Sequence, residues 1–289
     1  MNPASLLALL ANLFFSAATI SYAEHSKKYG SLWVNSFKSF LSLLLMTILF
    51  FAMGFYKTPV DQISLLYMLS GLIGLALGDY LLVIGFEKIG PARTLLIFGI
   101  QPVLFLGIDL FTVPEKITWW APFGVAFMLA SLFLVIFEKQ KSIYSWSLIG
   151  FLCGLFGVLL DFTGVLITKW AMNNGDHAII EVYFWRMLGA LIGLMLFHLI
   201  LRKQAFRFTL DETGRDKWLF VLACVAGTFV SLWCYLKAIE IGPLSSVAAV
   251  AVTGPLFAGL FEWLFQKKPL TINLILSLFC FSMGFYLLS

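Results

Sequence analysis

Apolar residues along this chain neither alternate nor keep to one helical face. They run on for about twenty positions, stop at a short polar or Gly/Pro-containing break, and begin again. Runs of that length match the ~20 residues a helix needs to cross a ~30 Å hydrocarbon core. Within lipid a helix satisfies its own backbone hydrogen bonds. The alternating ~10-residue strands of a membrane barrel would leave a different pattern. With charge, Pro and Gly as boundaries, the pattern predicts ten helices, at 3–22, 32–55, 63–84, 92–111 and 118–137, then at 146–168, 179–201, 218–238, 244–265 and 271–288. The charged link Glu138-Lys139-Gln140-Lys141 separates the two sets, giving repeats 1–141 and 142–289. The polar stretch 202–217 reads as a loop or an interfacial amphipathic turn. The first run has neither a basic leader nor a small-residue cleavage site, so it is expected to be a mature helix.

Composition agrees with this pattern. The chain is 61% hydrophobic and 12% charged, with a mean hydropathy of +0.96, against ~25% charged residues in soluble domains. This excludes an ordinary water-soluble fold and makes the bilayer the protein's first partner. The four cysteines, Cys153, Cys224, Cys234 and Cys280, all fall inside apolar runs and form no CxxC pair. The three histidines, His25, His177 and His198, are far apart. Neither set has metal-ligand spacing, so no metal or cofactor is expected. A net charge of +4 in a soluble protein would suggest nucleic acid. Here the cations sit in short loops beside apolar runs, where membrane topology accounts for them.

The two halves also match in content. Val34-Asn-Ser-Phe-Lys38 opens the second run and Val182-Tyr-Phe-Trp-Arg186 the seventh. Ile89-Gly90-Pro91 precedes the fourth run and Ile241-Gly242-Pro243 the ninth. Pro102 and Pro255 follow inside those runs, each trailed seven positions later by an acid, Asp109 or Glu262. An odd number of spans per repeat inserts the halves in opposite orientation, an architecture typical of secondary transporters. The expected fold is therefore an all-α integral membrane protein of ten transmembrane helices in two inverted five-helix repeats.

At this level the chain resembles the drug/metabolite transporter superfamily, and within it the ten-helix EamA-type carriers. The resemblance rests on Gly78-Asp79-Tyr80, on Gly90-Pro91-Ala92-Arg93-Thr94, on Pro102, and on Pro114-Glu115-Lys116-Ile117-Thr118. The last segment is similar to the family's Gly-Glu-Arg-Leu-Thr ending of the fourth helix. Lys267-Lys268-Pro269-Leu270-Thr271 departs from that ending in the second copy. The resemblance implies export or uptake of amino acids, nucleoside-like metabolites or amphipathic compounds. It also implies cytoplasmic termini, whereas the charges point the other way. Apart from Lys38 and Arg186, which fall within spans, the Lys and Arg residues divide into Lys57, Lys116, Lys169 and Lys237 on one side and all the others on the opposite side. By the positive-inside rule both termini lie outside.

A charge deep in a span costs at least ~2.5–3.5 kcal/mol and usually faces the bundle interior or a water-filled cavity. Asp161, flanked by Leu160 and Phe162 in the sixth run, reads either as a proton-coupling or substrate-pairing carboxylate or as a structural acid paired to a neighbouring helix. Asp79, nearer the end of the third run, has the same two readings, its closeness to the interface speaking for the structural one. Lys38 and Arg186 are matched cations, serving as gate partners or anion ligands, or else snorkelling to the headgroups. Asn12, Gln101 and Thr253 offer neutral hydrogen bonds to a cavity or between helices. Tyr183, Trp185, Trp233 and Tyr235 combine an apolar body with a polar tip, suiting a pocket wall or an interfacial belt. Pro102 and Pro255 break helix hydrogen bonds and are candidate hinges or kinks. The pairs Gly74/Gly78, Gly150/Gly154 and Gly189/Gly193 have small-xxx-small spacing for close helix packing.

The sequence thus predicts a secondary active carrier in the cell membrane. It would move a small metabolite, with a co-transported or exchanged proton, by alternating access, as a monomer or homodimer. There is no GxxxxGK[ST] loop for ATP. The alternative is an integral membrane enzyme acting on a lipid or lipid-linked substrate. That would call for a nucleophile or a His/Asp/Glu cluster near an interface, and the sequence offers none, so no catalytic residue is assigned.

Overall fold

The computed structural model describes residues 3–57, 60–101, 147–201, 214–242, 253–267 and 272–288, with scattered positions at 104–134 and 244–250. Among these residues regular structure is helical: α1 Pro3–Tyr29, α2 Ser31–Ala52, α3 Gln62–Ile89, α4 Pro91–Ile97, α5 Leu148–Asn174, α6 Ile179–Ile200, α7 Arg215–Ile241, α8 Thr253–Gln266 and α9 Ile272–Leu288. Six of them, α1, α2, α3, α5, α6 and α7, are long and apolar enough to cross a membrane. The fourth and ninth predicted runs are described in part and the fifth only at scattered positions. Pro102, Asp109 and 114–118 lie outside the described residues.

Helix ends differ from the hydropathy boundaries. α1 continues past Tyr22 through Glu24, His25, Lys27 and Lys28, and α3 continues past Ile84 to Ile89. A helix does not stop where hydrocarbon stops, because its backbone bonds hold equally well in the headgroup layer. α3 stops at Gly90, whose φ of +93° lies in the left-handed region that glycine enters without strain. α3 is also not uniform: residues 72–78 form a π-helical turn, and residues 225–230 of α7 form another.

The bundle is built across the two halves. α1 packs on α7 and α8, α3 on α5 and α6, α2 on α6, and α4 on α8. α3 and α5 run antiparallel. Gly150 lies against Lys88 and Ile89, Gly157 against Gly78 and Leu82, and Gly164 against Ser70 and Gly74. Lys169, late in α5, bonds Ile239 at the end of α7, and Gly242 just beyond α7 lies against Ala4, near the start of α1. α1 therefore begins at the end of the bundle where α5 finishes. Large apolar side chains such as Ile48, Phe51, Leu199, Ile200, Trp218 and Phe265 are exposed, as a lipid-facing surface requires. Polar ones, including Asn35, Lys38, Ser39 and Ser42 of α2, are buried. Those four recur at three- and four-residue steps and so share one inward face.

Candidate functional site

Midway along the helices a cavity of about 670 Å³, its open mouth included, is enclosed by α1, α2, α3, α5, α7 and the segment after α4. Its polar lining is Asn12, Lys38, Asp79, Gln101, Asp161, Thr228, Ser231 and Tyr235, and its apolar walls include Phe15, Leu75, Phe98 and Leu232. Six of the residues singled out in the sequence, Asn12, Lys38, Asp79, Gln101, Asp161 and Tyr235, therefore meet around one space, although they come from both halves of the chain.

The two acids in this space have different partners. Lys38 Nζ donates to Asp79 Oδ2 at 2.6 Å and lies 5.2 Å from the centre of the Tyr22 ring. Lys38 is 1% exposed, so its stem does not carry the charge to the headgroups. Asp79 lies ten residues before the end of an α3 that is longer than hydropathy predicts. Asp161 Oδ2 instead accepts from the neutral amide Gln101 Nε2 at 2.9 Å. Asn12 of α1 donates from Nδ2 to Val250 O at 3.0 Å.

Three further sequence candidates lie behind the cavity wall. Arg186 is 1% exposed and donates from a terminal guanidinium nitrogen to Thr168 Oγ1, and its Nε has no hydrogen-bond partner. Tyr183 is fully buried. Its hydroxyl is shared with Ser42 Oγ at 2.5 Å and lies within 3.2–3.3 Å of the carbonyls of Thr228 and Phe229. Trp233 packs beside Tyr183, ring centres 6.5 Å apart. Pro255 is helical in α8, and Thr253 Oγ1 bonds locally to Val250 O at 2.8 Å.

Sequence reasoning passed over Thr228, Ser231, Phe15 and Phe98. Single hydroxyls and phenylalanines are so common in this chain, with 30 Phe among its residues, that none stands out. Position in the repeat was the usable signal for Ser231: it stands eleven residues before Gly242, as Asp79 stands eleven before Gly90.

The cavity lies between two polar clasps. At one end Ser26 and Ser31 donate to Glu87 Oε2 at 2.6 and 2.8 Å, and Glu262 Oε1 accepts from the Ala92 amide at 3.0 Å. At the other end Lys169 Nζ donates to Ile239 O at 2.7 Å. Also at this end, Asp61 caps α3, accepting from Ser64 N at 2.7 Å and Ser64 Oγ at 2.8 Å, with His177 Nε2 at 3.5 Å. The backbone and hydroxyl bonds from Ser64, aided by His177, hold the Asp61 carboxyl below the usual carboxylate range. Among the described residues no group of three or more His, Cys, Asp and Glu is placed to hold a metal ion.

A multi-pass helical bundle with a polar cavity shared by its two halves is the plan of a membrane transporter. Residues 2–137 and 148–289 each match the EamA-like transporter family, so the chain belongs to that family and carries two copies of its unit. Among curated proteins it is 28% identical to Protein LicB of Haemophilus influenzae over 231 residues, 77% of this chain and 75% of that protein. One crystal structure aligns with a TM-score of 0.69 over 98% of this chain and 95% of its own, at 14% identity. At that identity the match speaks for the fold alone.

Proposed function

We propose that the protein is a secondary active carrier that moves a small metabolite across the cytoplasmic membrane by alternating access. In this reading ten helices form two inverted five-helix halves, and the shared cavity is the substrate site. The observation that carries the proposal is the cavity itself, midway along the helices, lined from both halves and bounded by a clasp at each end. The opposed directions of α1 and α5, the first helices of the two matched segments, support the inversion. Asp161 acts as the coupling group because its carboxylate faces the cavity and bonds a neutral amide, whereas Asp79 is already held by Lys38. Amino acids, nucleoside-like and amphipathic compounds are the solute classes to try first.

The test is reconstitution into vesicles and a screen of labelled metabolites for counterflow. Flux of at least one solute is expected, and an intact protein that moves none across a broad panel would sink the carrier reading. Asp161→Asn should then abolish gradient-driven accumulation while sparing exchange of the solute found. Unchanged accumulation returns Asp161 to a structural role.

A further inference from the structure

The two π turns occupy matched places, 72–78 in α3 and 225–230 in α7, each ending twelve residues before its glycine landmark, Gly90 or Gly242. A π turn carries one residue more than the α-helix around it and leaves a carbonyl out of the regular ladder, so it persists where something else satisfies that oxygen. In α3 the Asp79 amide bonds Gly74 O, five residues back, and Ala76 O, three back, which passes over Leu75 O. Asn35 Nδ2 donates to Leu75 O at 3.1 Å and to Ala76 O at 3.3 Å. In α7 the Ser231 amide bonds Ala226 O and Thr228 O in the same five-back and three-back pattern. There the carbonyl passed over is Gly227 O, and the Tyr183 hydroxyl reaches the next two carbonyls of the same turn, Thr228 O and Phe229 O, with Ser42 Oγ holding it from the other side.

Asn35 and Tyr183 are the second residues of the matched segments Val34–Lys38 and Val182–Arg186. The two repeats thus use one position for one task with different chemistry, an amide in the first half and a phenol in the second. We infer that Asn35 and Tyr183 are positioning residues that hold the π turns of α3 and α7 and thereby set the rotation at which Asp79 and Ser231 face the cavity. Releasing either donor lets its turn relax to α-helix. Removing one residue of register turns the following segment by about 100° and draws it along by about 1.5 Å. In α3 this carries Asp79 away from Lys38, and in α7 it carries Ser231 away from Ala11 O, to which its hydroxyl bonds at 2.9 Å. Each half then has a two-state element at the cavity wall, operated by its second predicted helix. The role of this element in alternating access rests on the carrier reading, while the positioning itself does not.

The test needs no transported solute. Structures of two variants in lipid nanodiscs read the register directly. Asn35→Leu keeps the branched shape of the side chain and removes the donor, and it also removes Asn35 Oδ1, a buried acceptor without a partner, so folding is expected to survive. Its α3 should be α-helical through 72–78 with the Lys38–Asp79 pair parted, while 225–230 remains π-helical. Tyr183→Phe should show the reverse, with α7 regular, Ser231 turned from Ala11, and the α3 turn intact. Melting temperatures within a few degrees of the parent separate this outcome from general damage, and Asn35→Ala and Tyr183→Leu substitute for a variant that fails to fold. Both π turns persisting in both variants, or both lost in either one, overturns the inference. A crossed result with no flux of any solute would leave the positioning intact and count against the carrier reading alone.

Discussion

Lys38 and Arg186 hold matched places in the repeat but are accommodated differently. Lys38 has a carboxylate at 2.6 Å, whereas Arg186 has a hydroxyl and an Nε without a hydrogen-bond partner. Removing one member of a buried pair leaves the other charge uncompensated and costs about 3–5 kcal/mol. Lys38→Met and Asp79→Leu should each lower the melting temperature in detergent sharply. The double variant should recover most of the loss, and a double variant no better than either single one would show that the pair is not coupled.

Asp61 offers a milder case at the membrane edge. Its folded carboxyl ionises more readily than an unfolded one, so its contribution to stability is complete above the unfolded value near ~3.9. That contribution fades as pH falls through the lower folded value. Asp61→Ala should cost about 1 kcal/mol near neutrality, as expected for loss of an N-cap. The gap in melting temperature between parent and variant should narrow as pH falls below that unfolded value, and a gap that does not depend on pH would disconnect it from this carboxyl.

At the scale of elements, close approach is concentrated at particular glycines. A Cβ on Gly71 would stand 1.8 Å from Arg186 O, and one on Gly189 2.0 Å from Met68 O. Gly107 has nothing within 4 Å. Gly71→Ala and Gly189→Ala should each destabilise by about 1–3 kcal/mol or more through overpacking. Gly107→Ala should be neutral or stabilising, because Gly in a helix costs roughly 0.5–1 kcal/mol relative to Ala. Comparable melting temperatures for the three would contradict the packing described for α3 and α6.

The existence of the six spanning helices among the described residues was legible because apolar runs of about twenty residues mark a membrane-crossing helix. Their ends were not, since α1 and α3 continue through charged residues, and this is why Asp79 looked closer to the end of its helix than it is. Asn12, Lys38, Asp79, Gln101 and Asp161 were legible as candidates because a polar group in a span is costly wherever it sits. Their convergence, and the retreat of Tyr183, Arg186 and Trp233 behind the wall, depend on how the helices are rotated, which run length does not encode. The π turns have no compositional mark at all. Their one trace is the inward face of Asn35, Lys38, Ser39 and Ser42, where serines read as ordinary packing residues.

At the scale of the molecule, the distribution of Lys and Arg favours both termini outside, while the family resemblance implies cytoplasmic termini. A reporter enzyme active only in the cytoplasm, fused after Ser289, is expected to stay silent under the positive-inside rule. Strong activity would reverse the orientation and show that the loop charges do not set topology here.

The packing of α1 on α7 and α8, and of α5 on α3, also bears on how the protein is made. Although α1, α2 and α3 share a core of their own around Tyr22, Phe37 and Phe86, part of each packs on helices of the second half, so the first helices leave the ribosome before some of the surfaces they are to cover have been synthesised. Lys38 and Asp79 can neutralise each other at that stage because both belong to the early half, and Gln101 is already in place when Asp161 arrives. Biogenesis therefore has a waiting period in which a half-made bundle holds its charges in pairs and its cavity-lining faces uncovered. Separate expression of the two halves should give fragments that are degraded alone and rescued together.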